Sequence, residues 1–126
     1  MKFLTICTLL FSFSVSAEHH YILHFPSDDS KDKEKLVVLV SGDEEYRSEE
    51  SMPMLAKILS QKHGFNCKVL FSWDESGKYI DPNNPKGVKG WQHLEDADLM
   101  IIGTRYRNPN PEDAKFVTNF LNAGKP

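Results

Sequence analysis

The chain has 126 residues, of which 40% are hydrophobic and 26% are charged, and its formal net charge is −3. These values are typical of one globular domain. The weak negative charge argues against the basic surface that most nucleic-acid-binding domains carry, so we expect no nucleic-acid partner. The sequence also contains no P-loop, GxGxxG, HExxH or CxxC motif, and we expect no cofactor.

The first 17 residues have the pattern of a signal peptide. Lys2 precedes an apolar stretch from Phe3 to Val15, and Val15-Ser16-Ala17 matches the small residues that precede a cleavage site. The apolar stretch is short for a membrane span, so an uncleaved anchor is the less favoured alternative. We therefore predict cleavage after Ala17 and a secreted or periplasmic protein that has no membrane partner after cleavage.

Residues 18–35 mix acids and lysines with little periodicity, which predicts a polar tail or linker. Cleavage after Ala17 would make His20 the third residue, where the amine, two backbone amides and the imidazole can bind Cu(II) or Ni(II). A frayed terminus with incidental histidines is the favoured alternative, so we predict no metal site. Cys7 would leave with the signal peptide, and Cys67 is expected to be a buried thiol within a strand.

From residue 36 onwards, apolar runs and amphipathic stretches alternate. This alternation predicts a β-α-β-α-β-α domain over residues 36–126, in which right-handed crossovers build a parallel sheet with helices on its faces. We expect Asn110 to cap the last helix, with Pro111 at its first position. The predicted strand order is 2-1-3. The three predicted strands are KLVVLVS, NCKVLFSW and DLMIIGT.

The sequence stops at Lys125-Pro126, where the alternation predicts another strand. We therefore expect a piece of a longer reading frame, whose domain is incomplete at its carboxyl end. The alternative is a natural minimal domain that completes its sheet by dimerising. In either case an exposed apolar edge strand is expected, and a second copy pairing through that edge is an expected partner.

Charged and aromatic residues follow the first and third predicted strands. In a 2-1-3 order these strands are neighbours, and ligands of open parallel sheets bind beyond the carboxyl ends of the strands. Guanidinium forks, carboxylates and tyrosines can recognise a small polar or sugar-like molecule. Two alternatives stay open, namely ion pairs that only brace the loops and a less favoured Mg²⁺ or Ca²⁺ site. The candidate ligand-binding residues are Asp43, Glu45, Tyr46, Arg47, Arg105 and Arg107.

Four segments together carry a family resemblance, and they cover the chain from about Leu36 to Pro126. The segments are VVLVSGDEEYRSEESMPMLAKIL, HGFNCKVLFSWDESGKYIDPNN, LEDADLMIIGTRYR and FLNAGKP. This part of the chain resembles the amino-terminal part of a ThuA-like (trehalose-utilisation-type) domain of the class I glutamine amidotransferase-like superfamily. The resemblance implies an α/β fold of the three-layer, flavodoxin-like kind, truncated here. It carries over the loop positions Glu45, Tyr46, Arg47 and Arg105.

The resemblance also implies a function. It indicates an exported protein of sugar or polyol (trehalose-type) metabolism, and the alternative is a non-catalytic carbohydrate-binding or interaction module on the same fold. In the family, AGKP leads into a strand and the turn where amidotransferases carry their nucleophile. Any catalytic residues are therefore expected beyond Pro126, and none is assigned. Relatives generally lack the amidotransferase triad, so the resemblance does not decide whether the protein is an enzyme.

Overall fold

The computed structural model describes residues 20–27 and 35–126. The predicted signal peptide and Cys7 lie outside the described residues. Two helices and four strands make up the described part, together with a short 3₁₀ helix, Trp91–Leu94. The strands are β1 (Ile22–Phe25), β2 (Leu36–Gly42), β3 (Asn66–Leu70) and β4 (Leu99–Thr104), and the helices are α1 (Ser48–His63) and α2 (Pro111–Asn122).

The four strands form one mixed sheet of order β1-β3-β2-β4. β2 pairs in parallel with β3 and β4, and β1 pairs antiparallel with β3. The α/β class is confirmed, but the expected order of 2-1-3 in an all-parallel sheet is wrong for the sheet as a whole, because a fourth strand extends it. That strand, Ile22–Phe25, comes from the segment expected to be a polar tail. A run of only four residues beside charged neighbours gives little strand signal in the sequence. This segment becomes a strand because it pairs with β3, which lies far along the chain.

Two hydrophobic clusters lie on opposite sides of the sheet. Val38 and Val40 of β2 belong to a cluster with Trp91 and with Phe120 of α2. The alternating β2 residues Val37 and Leu39 belong to a second cluster, which includes Ala56 of α1. Successive strand residues point to opposite faces, so the continuous apolar run of β2 is explained by its burial from both sides.

The two edge strands of the sheet are β1 and β4, and β3 lies inside it. Six of the seven β2 residues are buried, whereas Ile102 of β4 is 51% exposed. The continuous apolar run of β4 is typical of a strand that is covered on both faces, and the mixed pattern of NCKVLFSW is more typical of an edge strand. β1 covers β3 instead. The pairing of two copies through the β4 edge stays a prediction.

Helix ends follow the expected chemistry in two places. Gly64 ends α1 in the left-handed conformation (φ 73°), and the Phe65 N–H donates to the Leu59 carbonyl at 3.2 Å. Asn110 caps α2, since its Oδ1 accepts from the backbone N–H groups of Glu112 and Asp113, both at 2.9 Å. None of the helices in the described part of the chain is long and apolar enough to cross a membrane.

The glycine- and proline-rich segment between β3 and the 3₁₀ helix is held in place by backbone hydrogen bonds. The Trp73 N–H donates to the Gly87 carbonyl at 2.9 Å, and the Asp81 N–H donates to the Ser72 carbonyl at 2.8 Å. A Cβ atom at position 87 would lie 2.2 Å from the Trp73 carbonyl oxygen, so only glycine fits this approach. After α2 the chain returns to the sheet, where the Met100 N–H donates to the Pro126 carbonyl at 3.0 Å.

Candidate functional site

The turn that follows β2 is held by two side chains. Asp43 is only 7% exposed, and its Oδ1 accepts from the backbone N–H groups of Glu45 and Tyr46 at 2.7 and 2.6 Å. The Ser48 Oγ accepts from the N–H groups of Gly42 and Asp43 at 3.0 and 2.9 Å. Ser48 is also the first residue of α1. Here it closes the turn, and Arg47 occupies the N-cap position without a side-chain cap.

Arg105 joins the turn after β2 to the turn after β4. Its Nη1 forms an ion pair with Glu45 Oε2, and its Nε lies 3.6 Å from Glu44 Oε1. The guanidinium carbon of Arg105 lies 4.7 Å from the centre of the Tyr106 ring, within the range of a cation–π contact. The side chain of Arg105 keeps 33% of its surface exposed, so this group can still reach a ligand.

Arg107 lies beneath Arg105 and is almost fully covered, with 8% of its side-chain surface exposed. Its Nε donates to the Arg105 carbonyl at 2.7 Å, its Nη1 to the Asn84 carbonyl at 2.8 Å and its Nη2 to the Pro82 carbonyl at 2.9 Å. A Cβ atom at position 42 would meet the Arg107 Cδ at 3.0 Å, so Gly42 leaves room for this side chain to pass the end of β2.

Two tyrosines stand at the surface beside Arg105 and its partner Glu45. Tyr46 is 73% exposed and Tyr106 is 72% exposed. Tyr106 has a positive φ of 53°, and Arg47, next to Tyr46, has a φ of 54°. Such angles are uncommon outside glycine, and when the surroundings enforce them they often occur at binding sites.

The contacts divide the candidate residues into three groups. Glu45 and Arg105 meet each other directly, and we name them, with the exposed rings of Tyr46 and Tyr106, the Arg105 cluster. Asp43 Oδ1 and all three guanidinium nitrogens of Arg107 bond to backbone groups, so these two residues hold the turns in place. Arg47 pairs with Glu50 in the first turn of α1.

Several bracing residues were missed by the sequence analysis. Neither Ser48 nor Asn84 belongs to a recognisable motif for this role. Ser48 contacts the nearby Gly42 and Asp43, whereas the Asn84 carbonyl accepts from Arg107, which lies 23 positions further along the chain. No local pattern encodes such a pair, and an alternating strand pattern gives only the approximate position of each turn.

Three carboxyl and thiol groups have shifted pKa values. Burial raises the pKa of the Cys67 thiol to about 11, which fits the expected inert thiol. The Ser76 hydroxyl, followed by the Tyr79 N–H, lowers the pKa of Asp74 to about 2. The Leu36 N–H, followed by the Lys35 ammonium, lowers the pKa of Asp98.

Across residues 20–27 and 35–126, no group of three or more His, Cys, Asp or Glu side chains is placed to hold a metal ion. His20 lies beside Tyr21, with ring centres 3.7 Å apart. The Cu(II) or Ni(II) hypothesis also requires residues 18 and 19, which lie outside the described residues. It stays a hypothesis.

Comparison with known proteins gives no match: no family model, curated protein or solved structure is similar to this chain. The resemblance to ThuA-like domains therefore stays a prediction made from the quoted segments. Functional conclusions for this protein depend on the geometry of the described residues.

Proposed function

We propose that the protein is an exported domain that binds a small polar, sugar-like molecule at the carboxyl ends of β2 and β4. The observation that supports this proposal is the ion pair between Glu45 and Arg105, each of which is followed in the sequence by an exposed tyrosine. The proposal includes a ThuA-like domain of flavodoxin-like fold and a role in sugar or polyol metabolism. The alternative is a non-catalytic binding module, and no catalytic residue is proposed within the chain.

The chemistry of the Arg105 cluster suits a molecule with many hydroxyl groups. A guanidinium supplies several N–H donors in one plane, and a carboxylate supplies acceptors beside them. A sugar hydroxyl can accept from Arg105 and donate to Glu45 at the same time. The faces of Tyr46 and Tyr106 offer apolar surface for the C–H side of a sugar ring, with a hydroxyl at the tip of each tyrosine.

The residues beneath the cluster support binding by keeping it in place. Asp43 fixes the backbone of Glu45 and Tyr46, and Arg107 holds the Arg105 carbonyl. A site whose side chains are already positioned loses less conformational entropy when its ligand binds. The bracing role of Asp43 and Arg107 therefore agrees with a binding role for their neighbours.

The test is an NMR titration of the isotopically labelled protein with trehalose and with D-glucose. We expect shifts of the backbone signals of residues 44–47 and 105–106. Arg105→Ala should weaken binding by roughly 10- to 100-fold, because a hydrogen bond to a charged group contributes about 1.5–3 kcal/mol.

The matched control is Lys62→Ala, which removes one exposed positive charge from the last turn of α1, away from the cluster. This variant should bind like the unmodified protein. Unchanged binding in Arg105→Ala, or no signal shift with either sugar, would rule out the proposed site. A melting temperature recorded for each variant separates lost binding from lost folding.

A further inference from the structure

A cavity lies near the carboxyl ends of the parallel strands, on the side of the sheet where α2 packs. Its volume is about 300 Å³. Ile22 of β1 lies opposite Leu70, the last residue of β3, so β1 begins at the carboxyl end of its antiparallel neighbour. The residues that line the cavity are Tyr21, Ile22, Lys89, Gly90, Gln92 and Asp113. The cavity thus lies at the edge where open α/β sheets bind their ligands, but it does not include the Arg105 cluster.

The floor of the cavity is apolar and closely packed. Gly90 has a φ of +93°, and a Cβ atom there would lie 3.0 Å from Leu70 Cδ2 and 3.1 Å from Ile22 Cδ1. The backbone around it is held by two hydrogen bonds, from the Lys89 N–H to the Phe71 carbonyl at 3.3 Å and from the His93 N–H to the Gly90 carbonyl at 3.0 Å. Glycine at this position therefore lets the backbone pack closely against the side chains of the sheet.

Two residues of the wall are fixed by contacts outside the cavity. The Tyr21 carbonyl accepts from the Trp73 indole Nε1 at 3.2 Å, and the two rings pack edge to face with centres 5.4 Å apart. Asp113 is held by the cap of α2, since its Oδ2 accepts from the Asn110 Nδ2 at 2.8 Å. The wall is therefore positioned before any ligand arrives.

We propose that this cavity binds a neutral, hydroxyl-rich molecule of the size of one sugar ring. Lys89 offers ammonium donors and Asp113 a carboxylate acceptor, so their opposite charges balance and favour a ligand without net charge. The Gln92 amide provides both a donor and an acceptor. The volume lies at the small end of ligand sites, which span about 300–1,000 Å³. The ligand class rests on the proposed function, but the place of binding is separate from the Arg105 cluster.

The experiment is a titration of the labelled full chain with D-glucose, compared with the anion gluconate and the cation glucosamine. We expect glucose to shift the backbone signals of Lys89, Gly90, Gln92 and Asp113, with weaker responses to both charged analogues. Asp113→Ala should weaken glucose binding at the cavity by roughly 10- to 100-fold, since it removes a charged hydrogen-bond acceptor. Glu112→Ala, the matched control in the same helical turn, should not, because Glu112 does not line the cavity.

A second variant keeps the proposal testable if Asp113→Ala weakens the α2 cap. Lys89→Met keeps the side-chain stem of an exposed residue and removes its charge, so it should reduce glucose binding without altering the fold. A stronger response to gluconate than to glucose would overturn the proposal, and so would the absence of glucose shifts at the cavity residues.

The outcomes for the two sites are distinguishable. Shifts confined to residues 44–47 and 105–106 would refute the cavity site and leave the proposed function standing. Shifts confined to the cavity residues, with binding unchanged in Arg105→Ala, would support the cavity site and refute the Arg105 cluster.

Discussion

Replacement of Arg107 by alanine tests whether one buried guanidinium holds the carboxyl edge of the sheet together. The side chain donates to three backbone carbonyls at 2.7–2.9 Å and is only 8% exposed. Hydrogen bonds to a charged group contribute about 1.5–3 kcal/mol each, but bonds made by one group are not additive. We therefore expect the free energy of unfolding to fall by about 3–4 kcal/mol, near the upper end for a single substitution.

The assay is urea unfolding followed by circular dichroism. Arg47→Ala is the matched control, because it removes a mostly exposed arginine with one ion pair to Glu50. Such surface pairs contribute about 0–1 kcal/mol. Arg107→Lys should recover only part of the loss, since an ammonium is a single point and cannot reproduce the planar fork.

A loss below about 1 kcal/mol in Arg107→Ala would refute this reasoning. It would mean that the three carbonyls find water or other donors when the guanidinium is removed. A loss as large in Arg47→Ala as in Arg107→Ala would also refute it, because exposure would then not distinguish the two arginines.

Three further predictions concern the glycine- and proline-rich segment after β3 and the hydrophobic core. The pKa of Asp74 is lowered from 3.8 to about 2, so the stability that its carboxylate contributes is present above pH 3.8 and is lost as the pH falls towards 2. In Asp74→Asn the melting temperature should therefore fall less between pH 4 and pH 2 than it does in the unmodified protein. Gly103→Ala should lower the free energy of unfolding in urea by less than about 1 kcal/mol, because the new Cβ would lie 2.4 Å from Met52 Cε, the far end of a flexible side chain that can move aside; a loss of about 3 kcal/mol would show that Met52 cannot move. The Cys67 thiol, whose pKa is about 11, should react with a thiol reagent only after denaturation, and rapid reaction of the native protein would contradict its burial.

Local chemistry made several elements predictable from the sequence. β2 is an apolar run covered on both faces, and the ends of α1 and α2 carry Gly64 and Asn110, whose cap geometries need only neighbouring residues. The meeting of Glu45 with Arg105 was also predictable, because parallel strands bring their carboxyl ends to one edge.

Other features depended on distant partners. Ile22–Phe25 becomes a strand because it pairs with β3. β4 is an edge strand, although its sequence is as apolar as that of the interior strand β2. The distinction between residues that bind and residues that brace was equally hidden. Arg105 and Arg107 are two positions apart and chemically identical, and only their exposed fractions and carbonyl partners separate their roles.

The hydrogen bond between the Met100 N–H and the Pro126 carbonyl has a practical consequence for fusion proteins. Backbone groups of a strand alternate in direction, so the next N–H of β4 on this outer side belongs to Ile102. Any segment joined directly after Pro126 would therefore start beside the outer backbone groups of β4. A β-prone tag would be drawn into the sheet, whereas a Gly/Ser-rich linker would leave the edge as it is. The composition of a tag fused after Pro126 should therefore be chosen so that it does not pair with β4.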